Sequence, residues 1–114
     1  PVAHGRLNAL LLPHVIEFHA ERSPQVAERY ARLGRLVAPS ATGRAAVMSL
    51  VGAVQKLRVR LEMPSRLSEA KVSSADLRRD EEELVRAALA DGCTTTNPVA
   101  PTAEDLKAIL RRTA

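Results

Sequence analysis

Ala46, Val47, Leu50, Val51, Val54, Leu57 and Leu61 recur at intervals of three and four, the repeat of one helical face. Nowhere does an apolar–polar alternation bounded by turn residues occur, so nothing in the chain reads as a strand. A chain whose apolar repeats are all helical has to bury them helix against helix, and the fold class is therefore all-α. The stripe from Ala46 to Leu61 is the longest and cleanest. It predicts a central, well-buried helix that ends at Pro64.

The remaining punctuation gives about five helical segments. The first spans about Arg6 to Ala20, with Leu7, Leu10, Leu11, Val15 and Phe18 on one side. Pro13 inside it predicts a kink or a restart. Ser23-Pro24 reads as an N-cap followed by proline in the first turn, and Gly34 as the stop of that second helix. Ser73 or Ser74 caps a helix carrying Leu77, Leu84, Val85, Ala88 and Leu89, stopped by Gly92. Cys93 to Pro98 reads as loop. Thr102 and Asp105 form an acidic variant of the capping box before Leu106, Ile109 and Leu110, with Arg111 and Arg112 where the macrodipole favours cations. The whole, residues 1–114, is read as one helical-bundle domain of 12.3 kDa.

Composition narrows the function classes. With no Trp, one Tyr (Tyr30) and one Phe (Phe18), the core must be aliphatic and stacking platforms for single-stranded nucleic acid are excluded. The net charge of +4 comes from 17 Lys and Arg interleaved with 13 acidic residues, as in Arg78-Arg79-Asp80-Glu81-Glu82-Glu83. Mixed charge of this kind is a solvated helical face, so no nucleic-acid partner is expected. The longest apolar run, Ala9 to Leu12, is too short for a membrane span, and no membrane association is expected. A lone cysteine, Cys93, makes no internal disulfide, which fits a reducing cytoplasm. Pro1 in place of Met leaves two readings open, a processed start or one piece of a longer chain.

Chemistry-bearing residues are few. His14 and His19 are five apart, which turns them roughly 140° from each other around a helix, the wrong geometry for a shared metal. His4 lies before the first apolar run, at a loop or helix start. Taken alone, each histidine reads as structural. Cys93 has no basic neighbour in sequence to lower its pKa. The glycines at 5, 34, 43, 52 and 92 form no phosphate loop. By its own residues the chain is incomplete as an enzyme.

The order of several segments is nevertheless informative. His4-Gly5-Arg6-Leu7-Asn8-Ala9-Leu10-Leu11-Leu12-Pro13-His14-Val15, then Glu17-Phe18-His19, Met63-Pro64-Ser65-Arg66-Leu67, Ala87 to Cys93 with Asn97-Pro98, and Thr102-Ala103-Glu104-Asp105-Leu106 follow one another. In that order they resemble the C-terminal helical domain of the iron-containing (group III) alcohol dehydrogenases over nearly the whole chain. The Cys93 to Pro98 segment leans towards the alcohol and lactaldehyde-reductase-like branch. Three positions depart from the usual pattern: Ala3 in place of Pro, Lys71 in place of Gly, and Val99 in place of Arg.

The resemblance implies that His4 is one of four ligands, an Asp and three His, to a catalytic divalent metal, usually iron or another such as zinc. It implies that an upstream dinucleotide-binding domain holds NAD(P), that the substrate is a small alcohol or aldehyde, and it allows a homo-oligomeric parent. His14 stays structural under the same comparison. The other ligands would lie before Pro1, so the isolated chain is expected to be inactive. The competing reading is a stand-alone helical protein-interaction module descended from such an enzyme.

Overall fold

A computed structural model describes residues 2–114; Pro1, the first residue of the expected domain, lies outside them. The described residues are all-helical: α1 (His4–Arg22), α2 (Pro24–Gly34), α3 (Gly43–Arg60), α4 (Ser74–Ala90), a short 3₁₀ turn (Gly92–Thr96) and α5 (Ala103–Thr113). The starts follow the caps. Ser23 Oγ accepts the Val26 N–H at 3.3 Å with Pro24 in the first turn. Ser73 Oγ accepts the Asp76 N–H at 3.0 Å. Thr102 and Asp105 complete a reciprocal capping box, the Thr102 N–H donating to the Asp105 carboxylate at 2.9 Å.

Two expectations about α1 need correction. The helix begins at His4 rather than Arg6, and it runs unbroken through Pro13 with no restart. The proline ring is fully buried, so packing on that face outweighs the hydrogen bond the ring removes. The segment after α4 is also tighter than a loop. Asp91 accepts the Cys93 N–H at 2.7 Å, and the Thr95 and Thr96 hydroxyls donate to the carbonyls of Gly92 and Cys93 at 2.6 and 3.0 Å. These local bonds close the run into the 3₁₀ turn.

The core lies where α1, α2 and α3 meet, built from Ile16, Ala31, Ala46, Val47 and Val51. Gly34 ends α2 with a negative φ, so it is not the left-handed cap that a terminal glycine suggests. It is there for space: a Cβ would lie 1.8 Å from the Ala46 carbonyl oxygen. The close approach of α2 to the start of α3 depends on its absence.

The expected burial of the whole α3 stripe holds for half of it. Ala46, Val47 and Val51 are buried, whereas Leu57 and Leu61 are 53% and 62% exposed. α2 stops before it reaches that far, so the side of the helix end that carries Leu57 and Leu61 stays open, while Arg58 on another side is half-buried near His14 of α1. On the other flank α4 touches only α5 and the 3₁₀ turn, and α5 in turn packs on α1. Leu67 N–H donates to the Thr113 carbonyl at 2.7 Å, and Thr113 is fully buried, so the 63–72 connection is tied down at the end of α5.

Candidate functional site

His4 is the first residue of α1. Ala3 before it is extended and offers no side chain to cap the helix; its carbonyl accepts the N–H groups of Arg6 and Leu7 at 3.0 and 3.2 Å. The helix therefore opens on an exposed His4, a position from which an imidazole can reach outward. The side chain stands at one end of an open groove of about 410 Å³ between α1, the 91–101 segment and α5. Asp91, Cys93, Thr94 and Asn97 line the same groove, with Val15, Phe18, Leu106 and Ile109 giving it an apolar length. His4 and Cys93, far apart in sequence, thus share one feature.

The loop side of the groove is held by its own hydrogen bonds. Thr94 Oγ1 donates to the Ala88 carbonyl, and the Asn97 side-chain amide donates to the Val99 carbonyl at 2.6 Å. At Val99 it is thus the backbone, not the side chain, that helps close the turn. Cys93 is exposed and free. Among the described residues no group of three His, Cys, Asp or Glu is placed to hold a metal ion. His4 alone offers one donor atom, fewer than a metal site requires.

The other two histidines separate. His14 is half-buried away from the groove, and its Nδ1 has no hydrogen-bond partner among the described residues. Burial, then the nearby Arg112 and Arg58 guanidinium groups, push its pKa down, against a smaller opposite pull from Glu17. The neutral ring is favoured there, which suits packing.

His19, read from the sequence as structural, is buried in a polar and aromatic cluster. It is 5% exposed and lines the far end of the groove from His4. Its Nδ1 is 2.9 Å from the Tyr30 hydroxyl, the two rings stack 6.2 Å apart, and Phe18 adjoins it at 5.6 Å. The only Phe and the only Tyr of the chain therefore gather around this one imidazole, with the Arg22 guanidinium over the Phe18 ring. Its Nε2 is buried without a partner among the described residues. A signal existed in the spacing: His4 and His19 are fifteen apart, within about 60° of each other around a helix, so they share a face. Comparing His19 only with His14 hides that relation.

All 114 residues match the profile described as "Fe-containing alcohol dehydrogenase family, C-terminal". The chain is similar to the 1-propanol dehydrogenase PduQ of Citrobacter freundii, 36% identical over 110 residues, covering 94% of this chain and 30% of that protein. It is 28% identical over 109 residues to the NADPH-dependent butanol dehydrogenase of Clostridium saccharobutylicum, covering 95% of this chain and 27% of the relative. With the bifunctional aldehyde-alcohol dehydrogenase AdhE of Escherichia coli it shares 32% over 124 residues, 96% of this chain and 14% of the enzyme. It thus spans less than a third of the length of each of these relatives. The segment order, the all-helical fold and the match over every residue agree: the chain belongs to the Fe-containing alcohol dehydrogenase family and corresponds to its C-terminal helical domain.

Proposed function

We propose that these 114 residues act as the metal-side domain of an NAD(P)-linked alcohol dehydrogenase that interconverts alcohols and aldehydes in the cytoplasm, with His4 as one ligand to a divalent metal, iron or another such as zinc. The single observation that carries the reading is the position of His4, exposed at the opening of α1 and at the mouth of a groove it shares with Cys93 and Asn97. A neutral imidazole is a suitable ligand for Fe(II) or Zn(II). The metal, when bound, would act as a Lewis acid on the substrate oxygen while the nicotinamide accepts hydride.

What this chain's own residues do is narrower. His4 offers a lone pair from an exposed helix start. The 3₁₀ turn fixes Cys93 and Thr94 as the wall beside it. Their small side chains leave room for a substrate. The residues present supply one ligand out of four, and none of them resembles a phosphate-binding loop, so the domain acting alone is expected to lack activity. An upstream dinucleotide-binding domain is the partner that completes it, and its name-bearing relatives make a short-chain alcohol the first substrate class to test.

The test compares His4→Ala with His14→Ala in the full-length gene product. His4→Ala should strip most of the bound metal and abolish most turnover while the helical circular dichroism signal is unchanged. His14→Ala should keep the metal and act through packing alone. Full metal occupancy with near-normal activity in His4→Ala would show that His4 is not a ligand.

A further inference from the structure

The positive charge of the chain is concentrated on one surface. Two open grooves of about 600 and 470 Å³ meet at the turn after α2, where Leu36 lines one and Val37 the other. Arg29 and Arg32 line the first, Lys56 and Arg60 the second, and among the described residues no carboxylate lines either. Setting those four cations aside leaves thirteen of the seventeen basic residues against thirteen acidic ones. Four residues of one surface thus match the whole net charge of +4. The same surface is apolar. Leu36 and Val37 are 81% and 58% exposed, and Leu33, Met48 and Leu57 are exposed beside them in the two grooves. An exposed apolar patch with a charged rim marks a place where another molecule sits.

Gly52 is an observation of a different kind. It lies in the interior of α3, where glycine lowers helix stability relative to alanine. A Cβ there would meet nothing within 4 Å, so packing inside the chain gives no reason for its absence. With Ser49 and Ala53 it makes a low floor to the second groove. From Met48 to Arg60 that groove has a lining residue on every turn of α3, over about 18 Å at about 1.5 Å per residue. A missing side chain on such a floor lets a second helix approach closely.

We propose that this surface docks an acidic amphipathic helix of another protein. The apolar face of that helix covers Val37, Met48 and Leu57 over the Gly52 floor, and its carboxylates meet Lys56 and Arg60 on one side of the turn and Arg29 and Arg32 on the other. Charge selects the sign of the partner, because four cations without a lining carboxylate complement an acidic segment and repel a basic one. Shape selects its class. A helix fills a groove with side chains at helical spacing, whereas a lipid surface rests on the rim and leaves the floor empty. None of these residues lines the groove that His4 shares with Cys93, so docking here does not depend on His4 being a ligand.

The experiment selects a displayed peptide library on the full-length gene product. Each peptide has about fifteen residues, with Leu every three or four positions to form one helical face and random residues elsewhere. The expected winners are enriched in Asp and Glu over Lys and Arg. Their affinity should fall by about tenfold or more in the Arg29→Glu/Arg32→Glu pair and in the Lys56→Glu/Arg60→Glu pair. Gly52→Ala is the sharper variant. It should raise the urea midpoint of the protein and yet weaken the peptide by about three- to tenfold, a combination that a glycine required by the fold does not give. Winners without acidic enrichment, or binding indifferent to the charge reversals, would overturn the proposal. So would a Gly52→Ala protein with unchanged affinity or a lower midpoint. No selectable peptide, as when a second copy or the rest of the polypeptide already covers the surface, would overturn it too. Vesicles of phosphatidylcholine and phosphatidylglycerol form the lipid arm: vesicle binding that the charge reversals abolish, with no peptide selected, would assign the surface to anionic lipid instead.

Discussion

Lys71 holds a φ of 64° at the end of the 63–72 connection, a left-handed conformation that glycine adopts freely and an L side chain does not. The position is the one where the resembled family usually has glycine, so the sequence departure and the backbone strain coincide. The left-handed conformation costs an L-residue about 1–2 kcal/mol, and glycine's greater loss of freedom on folding returns part of that. Lys71→Gly should therefore stabilise the chain by about 0.5–1 kcal/mol. The side chain is exposed, which leaves little else to lose. A urea midpoint that rises with an unchanged slope is the expected result; a midpoint that falls would show that Lys71 contributes something the backbone argument omits. Gly34 teaches the opposite lesson at the same scale. It reads as a stop signal in sequence, yet its job is to let the Ala46 carbonyl approach, and no local pattern announces a contact twelve residues away.

Among the elements, α3 shows why periodicity gives a helix but not its surroundings. The stripe from Ala46 to Leu61 is legible because a helix needs only local spacing, and the caps at Ser23, Ser73 and Thr102 are legible because each bonds a residue three positions on. How far burial extends along the stripe depends on what packs against it, and α2 covers only the first half. Val51 is 1% exposed and Leu57 is 53% exposed on the same helix. Val51→Ala should cost about 1–4 kcal/mol through cavity formation. Leu57→Ala should change the stability of the isolated chain by less than about 0.5 kcal/mol. Equal losses at the two sites would mean that the far half of α3 is packed in solution. The groove was legible in part: His4 came from a motif, whereas the partnership of His19 with Tyr30 is a contact between two helices that spacing along one helix does not show.

At the scale of the molecule, the bundle is held by unlike forces on its two sides. The α1–α2–α3 side has a continuous aliphatic core. In α4, by contrast, only Val85 is buried, and its bonds to α5 are surface ion pairs: Arg111 grips Glu81 with two contacts at 2.8 and 2.9 Å, and Lys107 meets Glu82 at 2.6 Å. α5 is tied to α1 in the same way, by Arg22 with Asp105 and by Arg112 with Glu17 at 3.0 Å. Exposed pairs are worth little each and are screened by salt, so α4 should open in excursions that leave the α1–α3 core intact. The pH dependence follows from the carboxylates. Glu81 is held below the usual glutamate range by the Arg111 hydrogen bonds, and Asp105 below the aspartate range by the Thr102 N–H and then by the Thr102 hydroxyl and Arg22. Groups with lowered folded pKa values stabilise the fold fully above their unfolded pKa, and the contribution is lost as pH falls through the folded value. Native-state hydrogen exchange, corrected for intrinsic rates, should therefore show weaker protection in Leu84–Ala88 than in Val47–Val51 at neutral pH. Molar salt, or acid below the carboxylate range, should lower α4 protection further while the α3 amides change much less. Exchange of both segments together under all three conditions would mean that the ion-paired flank and the aliphatic core open as one cooperative unit.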